Sequence, residues 1–314
     1  PQEVPAAAGP AFKFQLRTVQ GTGVEPDVHH GRHQLFGIAA NPEAQGVVGT
    51  LAAGEAQDGA ETAEENAPVS LQARDEVILL EDVSGTCGPD LTWTLSGNVL
   101  TISGEGTMTN YTSSSYGPWY SYRSSVVRVE VGDDVTSIGD YAFYGCDVIS
   151  RVTFGSKVTA IGCDAFRGCT GLSRIELPDG LVSIGDYAFS GCSSLGSATI
   201  PESVTTLGRS AFSNCDALVS ATVNCSAPIS YECFNDCDAL STVVIGNKVR
   251  YIDSYAFYSC DSLSGVNMGT GITSIGYHAF EYCRNLQTVA IPDSVTTIGN
   301  ECFYNSGQIG RAHV

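Results

Sequence analysis

Basic residues are scarce in this chain: 15 Lys and Arg stand against 34 Asp and Glu, a formal net charge of -19. So few cations cannot neutralise a run of phosphates, which excludes nucleic acid as the partner and leaves no attraction for anionic lipid. No stretch approaches the roughly 18 apolar residues of a membrane span, so no membrane insertion is expected. Histidine is rarer still, with five residues; His29, His30 and His33 fall in an irregular N-terminal stretch and His313 lies at the C-terminal end. Twelve cysteines are present, but no C-x-x-C, the close pair that structural zinc sites use. No set of unique residues forms a nucleophile, a base and an orienting group. The expectation is a non-enzymatic protein with no cofactor and no metal.

What is present is a period. Phe143, Phe166, Phe189, Phe212, Phe234, Phe257, Phe280 and Phe303 follow one another at 23 residues, with a single interval of 22. Units this small cannot bury their own apolar faces, so they must stack and bury them against one another. In LSRIELPDGLVSIGDYAFSGCSS, Leu172, Ile175 and Leu177 take the L-x-x-L-x-L spacing of a leucine-rich-repeat strand, whose alternate residues face the core. Gly185 is expected to allow a sharp bend, and Asp186 to open a short helical turn carrying Ala188 and Phe189. The expected fold is an α/β solenoid: a right-handed superhelix with a parallel β-sheet, short helical turns opposite it and a small β-hairpin cap before it.

The rest of the chain is organised around that array. Residues 1–83 hold 13 acids and 4 bases and read as a disordered or low-complexity acidic segment. Residues 84–125 read as a small β cap module, with Thr92–Leu95 and Val99–Ile102 as two strands of a hairpin. Its loop, TNYTSSSYGPWYSYRSS, places Trp119 as a lid over the first repeat, or alternatively as a sugar-stacking platform. Residues 126–306 form about eight repeats, the last truncated. The fifth, NCSAPISYECF, is one residue short, so a local change of twist is expected there. Gln308–Val314 back-translates to a common sequencing adapter, so residues 307–314 are expected to be a non-native tail. The start at Pro1 is read as that of a fragment or processed form.

The motifs VTSIGDYAFYGC, LVSIGDYAFSGC and ITSIGYHAFEYC resemble the BspA-type leucine-rich repeats of bacterial surface proteins. SGTCGPDLTWTLSGNVLTISGEGTM with PWYSYR is similar to the module that often precedes such arrays. The resemblance implies a secreted or surface-attached bacterial protein that binds host or neighbouring-cell proteins, with no catalytic residues. The alternative is a carbohydrate-binding or hydrolytic surface protein in which the repeats act as a spacer.

Three further expectations concern particular residues. Seven cysteines share one column with Ser306, three residues after each Phe, and are read as packed free thiols. Cys225 and Cys233 are a candidate local pair. His278 shares a variable column with Tyr187 and Glu301 and is read as solvent-facing. Binding is assigned to the outward strand positions of the first three repeats, on the concave face: Arg128, Glu130, Arg151, Thr153, Arg174 and Glu176. Three aligned guanidiniums would hold a carboxylate-rich protein, unless each Arg merely pairs with Glu130 or Glu176 beside it.

Overall fold

The computed structural model describes residues 82–307; the acidic N-terminal segment with His29, His30 and His33, and residues 308–314, lie outside the described residues. The period winds the chain into a parallel-strand β-solenoid of about seven turns. Successive coils contribute strands to two faces, and the ladder along each face is interrupted once, so that four sheets form among the described residues. On the first face, alternation turns Val129, Val152, Ala198, Ala221 and Val243 inward, all buried. Arg128–Val131 and Arg151–Thr153 lie parallel, as do Ser197–Ile200, Ser220–Val223, Thr242–Ile245 and Gly265–Asn267. The register is one repeat, so Arg128 stands opposite Arg151 and Ser197 opposite Ser220.

The N-terminal strands belong to that same sheet. Val83–Thr86, Leu91–Ser96 and Val99–Gly104 pair antiparallel, and Val99–Gly104 then runs parallel to Arg128–Val131. Leu100 opposes Val129 and Ile102 opposes Val131, so the spine continues without interruption into the hairpin. Trp119 occupies the position of a further ring. It is fully buried, lies 5.1 Å from Phe143, and donates its indole N–H to the Ala142 carbonyl at 2.9 Å. It therefore offers no ring face to a sugar.

Phenylalanines form the spine. Neighbouring rings stack at 5.0–5.5 Å from Phe143 to Phe303. Beside them the cysteine column is buried, and each thiol from Cys169 to Cys283 donates to the carbonyl of the Phe in the preceding coil at 3.1–3.3 Å. The Ser306 hydroxyl does the same to Phe280. The column thus demands a small buried donor, which Cys and Ser both supply. All twelve cysteines are free, and Cys225 and Cys233 are not joined. Burial pushes the Cys146 and Cys302 thiols up to about 12.

The expected helical turns are absent. Tyr187 and Gly191 take left-handed φ angles of 56° and 72°, which no right-handed helix accommodates. The N–H groups of Tyr187, Phe189 and Gly191 instead reach the next coil at Arg209, Ala211 and Ser213, over 2.8–2.9 Å. Those of Ala188, Ser190 and Cys192 bond back three residues. Stacking supplies acceptors that a helix would have had to find within itself, so the architecture is β rather than α/β. The 3-10 turn Tyr120–Tyr122 is the one helical element among the described residues.

Gly185 also differs from its expected role. A Cβ there would lie 2.5 Å from the Cys163 nitrogen, and one at Gly208 2.3 Å from that of Asp186. Glycine fills six of the eight places in this column, Ser230 and Asp253 the other two, because coils touch there backbone to backbone, not because the chain bends. The fifth repeat breaks this rule. Where other coils pair short strands such as Ser183–Ile184 and Thr206–Leu207, this one has lost a strand residue and carries Pro228, which has no N–H. Ser230 replaces the glycine, and its hydroxyl bonds the Leu207 carbonyl in place of a backbone N–H. The second face accordingly splits between Thr206–Leu207 and Tyr251–Ile252. What the structure shows at the short repeat is an interrupted ladder.

Candidate functional site

Strand alternation sends the residues flanking each buried Val or Ala outward. Register then stacks Arg128, Arg151 and Arg174 in one column, with Arg151 bridging to both neighbours. Glu130, Thr153 and Glu176 form the parallel column. Arg128 and Glu130 approach to 3.9 Å, and Arg174 pairs closely with Glu176. Arg151 has Thr153 where the others have an acid, and among the described residues it makes no ion pair. The self-pairing expected of all three arginines therefore holds for two.

A shallow depression of about 80 Å³ opens here, lined by Arg151, Val152, Thr153, Phe154, Arg174 and Glu176. Phe154 stands where Val131 and Leu177 stand in the neighbouring coils, and it is only half-buried against Phe166. The arrangement presents one unpaired guanidinium and an aromatic edge beside two ion pairs. Such a group accepts a carboxylate in bidentate fashion. Farther along, the face carries Ser197, Ser220 and Thr242 with an exposed Val244.

The sequence-assigned residues are thus all brought together on one face. Two others were missed. Val99 and Thr101 stand opposite Arg128 and Glu130, extending the face by one strand. Their alternation was visible, but a hairpin read as a separate cap hides its parallel pairing to the array.

A second cluster lies on the turn edge, and it corrects the reading of His278. That side chain is 21% exposed, stacks at 4.7 Å on Tyr255, and bonds the Glu281 carboxylate through Nδ1. Glu281 is buried, and its carboxyl is pushed up by desolvation, partly opposed by His278. Glu301, one coil on, reaches within 3.8 Å of Nδ1. The column is not uniformly solvent-facing either, since Asp164 and Ser210 are buried in it. All its members take left-handed φ, from Tyr141 at 53° to Glu301 at 55°.

Among the described residues, no helix is long and apolar enough to cross a membrane. The family model for the BspA type leucine rich repeat region matches six copies, over residues 119–227 and 227–313. No curated protein matches the chain. Of solved structures, a leucine-rich repeat protein from Eubacterium ventriosum is 20% identical, with 74% of this chain and 97% of that chain covered and a TM-score of 0.45. The T. pallidum leucine rich repeat protein is 27% identical, with 65% and 92% covered and a TM-score of 0.47. A leucine rich cell surface protein from Faecalibacterium prausnitzii is 22% identical, with 71% and 86% covered and a TM-score of 0.34.

Proposed function

Because the chain belongs to the BspA type leucine rich repeat family, we propose that it is a non-enzymatic protein-binding module of a secreted or surface-attached bacterial protein. It engages proteins of a host or of neighbouring cells through the outer face of its first sheet, in the role of an adhesin. The partner surface is rich in carboxylates and docks on the arginine end of that face.

One observation carries this reading: Arg151 is left without an acid at the centre of the arginine column, beside the depression formed with Phe154 and Arg174. On a chain of net charge -19, an uncompensated cation on an exposed sheet is a local reversal of sign. Arg128 and Arg174 flank it in the same column, each paired with a glutamate of its own coil.

The test uses a labelled oligoglutamate peptide and fluorescence anisotropy. Binding should weaken with rising salt, and Arg151→Glu should reduce affinity roughly tenfold, equivalent to about 1.4 kcal/mol. Arg209→Glu, on the turn edge, serves as the control and should leave it unchanged. Affinity insensitive to both salt and Arg151→Glu would remove the arginine end from the binding surface.

A further inference from the structure

We propose that His278, Glu281 and Glu301 form a binding site for one divalent transition-metal ion, of which Zn²⁺ is the representative. The Nδ1 or Nε2 atom of His278 and one carboxylate oxygen from each glutamate all lie within 4.8 Å of one another. Zinc bound at roughly 2.1 Å by nitrogen and oxygen ligands holds neighbouring donors about 3.4 Å apart. Glu301 is 59% exposed, so a rotation of its side chain closes the difference.

Three features distinguish the cluster from a solvated group of acids. First, His278 and Glu281 both break the repeat. The other coils carry no histidine in the His278 column, and the Glu281 column otherwise holds Tyr144, Arg167, Ser190, Ser213, Asn235, Tyr258 and Tyr304. At the equivalent pair of positions Asp164 bonds Arg167 at 2.9 Å, an acid matched by a base. At His278 the same geometry faces two carboxylates, a net charge of -2 when the imidazole is neutral. Second, Glu281 is buried, and a bound cation would stabilise its ionised carboxylate there. The nearby Arg284 is engaged with Asp261 and does not supply one. Third, the imidazole is held against the Tyr255 ring, so little rotamer freedom is lost on ligation.

Imidazole nitrogen with two carboxylates favours zinc and its neighbours over calcium or magnesium, which prefer all-oxygen sets. The ion would tie the seventh coil to the eighth at the turn edge, away from the arginine face.

The experiment is calorimetric titration of the chelator-treated full chain with zinc, in a background in which His29, His30 and His33 are Gln. The expected result is one equivalent bound, with affinity reduced roughly tenfold or more in His278→Asn and in Glu301→Gln. Asn suits the left-handed backbone, and Glu301 is exposed, so both variants should keep the parent circular-dichroism spectrum and melting temperature in chelator. Cobalt substitution should give visible bands without a sulfur charge-transfer band, which separates this site from the cysteines. Absence of binding in the parent, or binding unchanged in both variants, would overturn the proposal.

Discussion

Replacing Phe212 by Ala should damage this protein more than any other single truncation in the ring ladder, and Phe303→Ala at its end should damage it least. Phe212 is fully buried, with Phe189 5.1 Å away on one side and Phe234 5.5 Å away on the other. Phe303 is 6% exposed and has a single ring neighbour, Phe280, at 5.4 Å. Removing a buried Phe costs about 3–5 kcal/mol in lost transfer energy and cavity formation. Each stacked pair adds about 0.5–1.5 kcal/mol beyond area, so the central substitution loses one pair more. Position magnifies the difference. In a solenoid each coil is held by the interfaces on its two sides, so a weakened central coil uncouples two halves, whereas a weakened end only frays. Against a total of about 5–15 kcal/mol, a loss of 4 kcal/mol in the centre is large. Urea unfolding followed by circular dichroism should show Phe212→Ala with a lower midpoint and a shallower or divided transition, and Phe303→Ala with a small shift and the parent slope. Equal shifts for the two variants, or a shift below about 1 kcal/mol for Phe212→Ala, would refute the shared-spine argument.

Three other outcomes are expected. Gly185→Ala should cost about 2 kcal/mol or more in thermal or urea denaturation, because the new methyl meets backbone atoms at 2.5 Å, whereas Ser230→Ala should cost only about 1 kcal/mol through the lost bond to Leu207. Cys192→Ser should stay within about 1 kcal/mol of the parent because a hydroxyl still reaches the Phe166 carbonyl; Cys192→Val should cost about 1–3 kcal/mol more, and equal melting temperatures would argue against a required donor. Stability should fall as pH rises above 9: Cys146 and Cys302 ionise near 9 when unfolded and near 12 when folded, so the unfolded chain alone loses protons between those values. Each such thiol should remove about 1.4 kcal/mol per pH unit, read from denaturation midpoints in reductant, and a flat profile would contradict their burial.

The spine was legible because its signal is one-dimensional. A repeat of 23 residues fixes which residue stacks on which, so the Phe column, the Cys column and the Arg128, Arg151 and Arg174 register follow from counting. The turn edge was not legible. Asp186 followed by Ala188 and Phe189 carries a helix-start signal, yet Tyr187 and Gly191 are left-handed and their own N–H groups find acceptors one coil away. Gly185 was recognisable as special, but the atom it avoids belongs to the preceding coil.

The amino-acid order alone determined that this chain stacks like on like around a continuous apolar spine, and which side chains of its repeats line the exposed sheet. Only the tertiary structure decided that the corners are turns rather than helices, that the hairpin joins the main sheet, and that Glu301 of the next coil joins His278 and Glu281. Each of these depends on what one coil presents to the next, and a contact between residues 23 apart is written in two places at once, where no local propensity reads it.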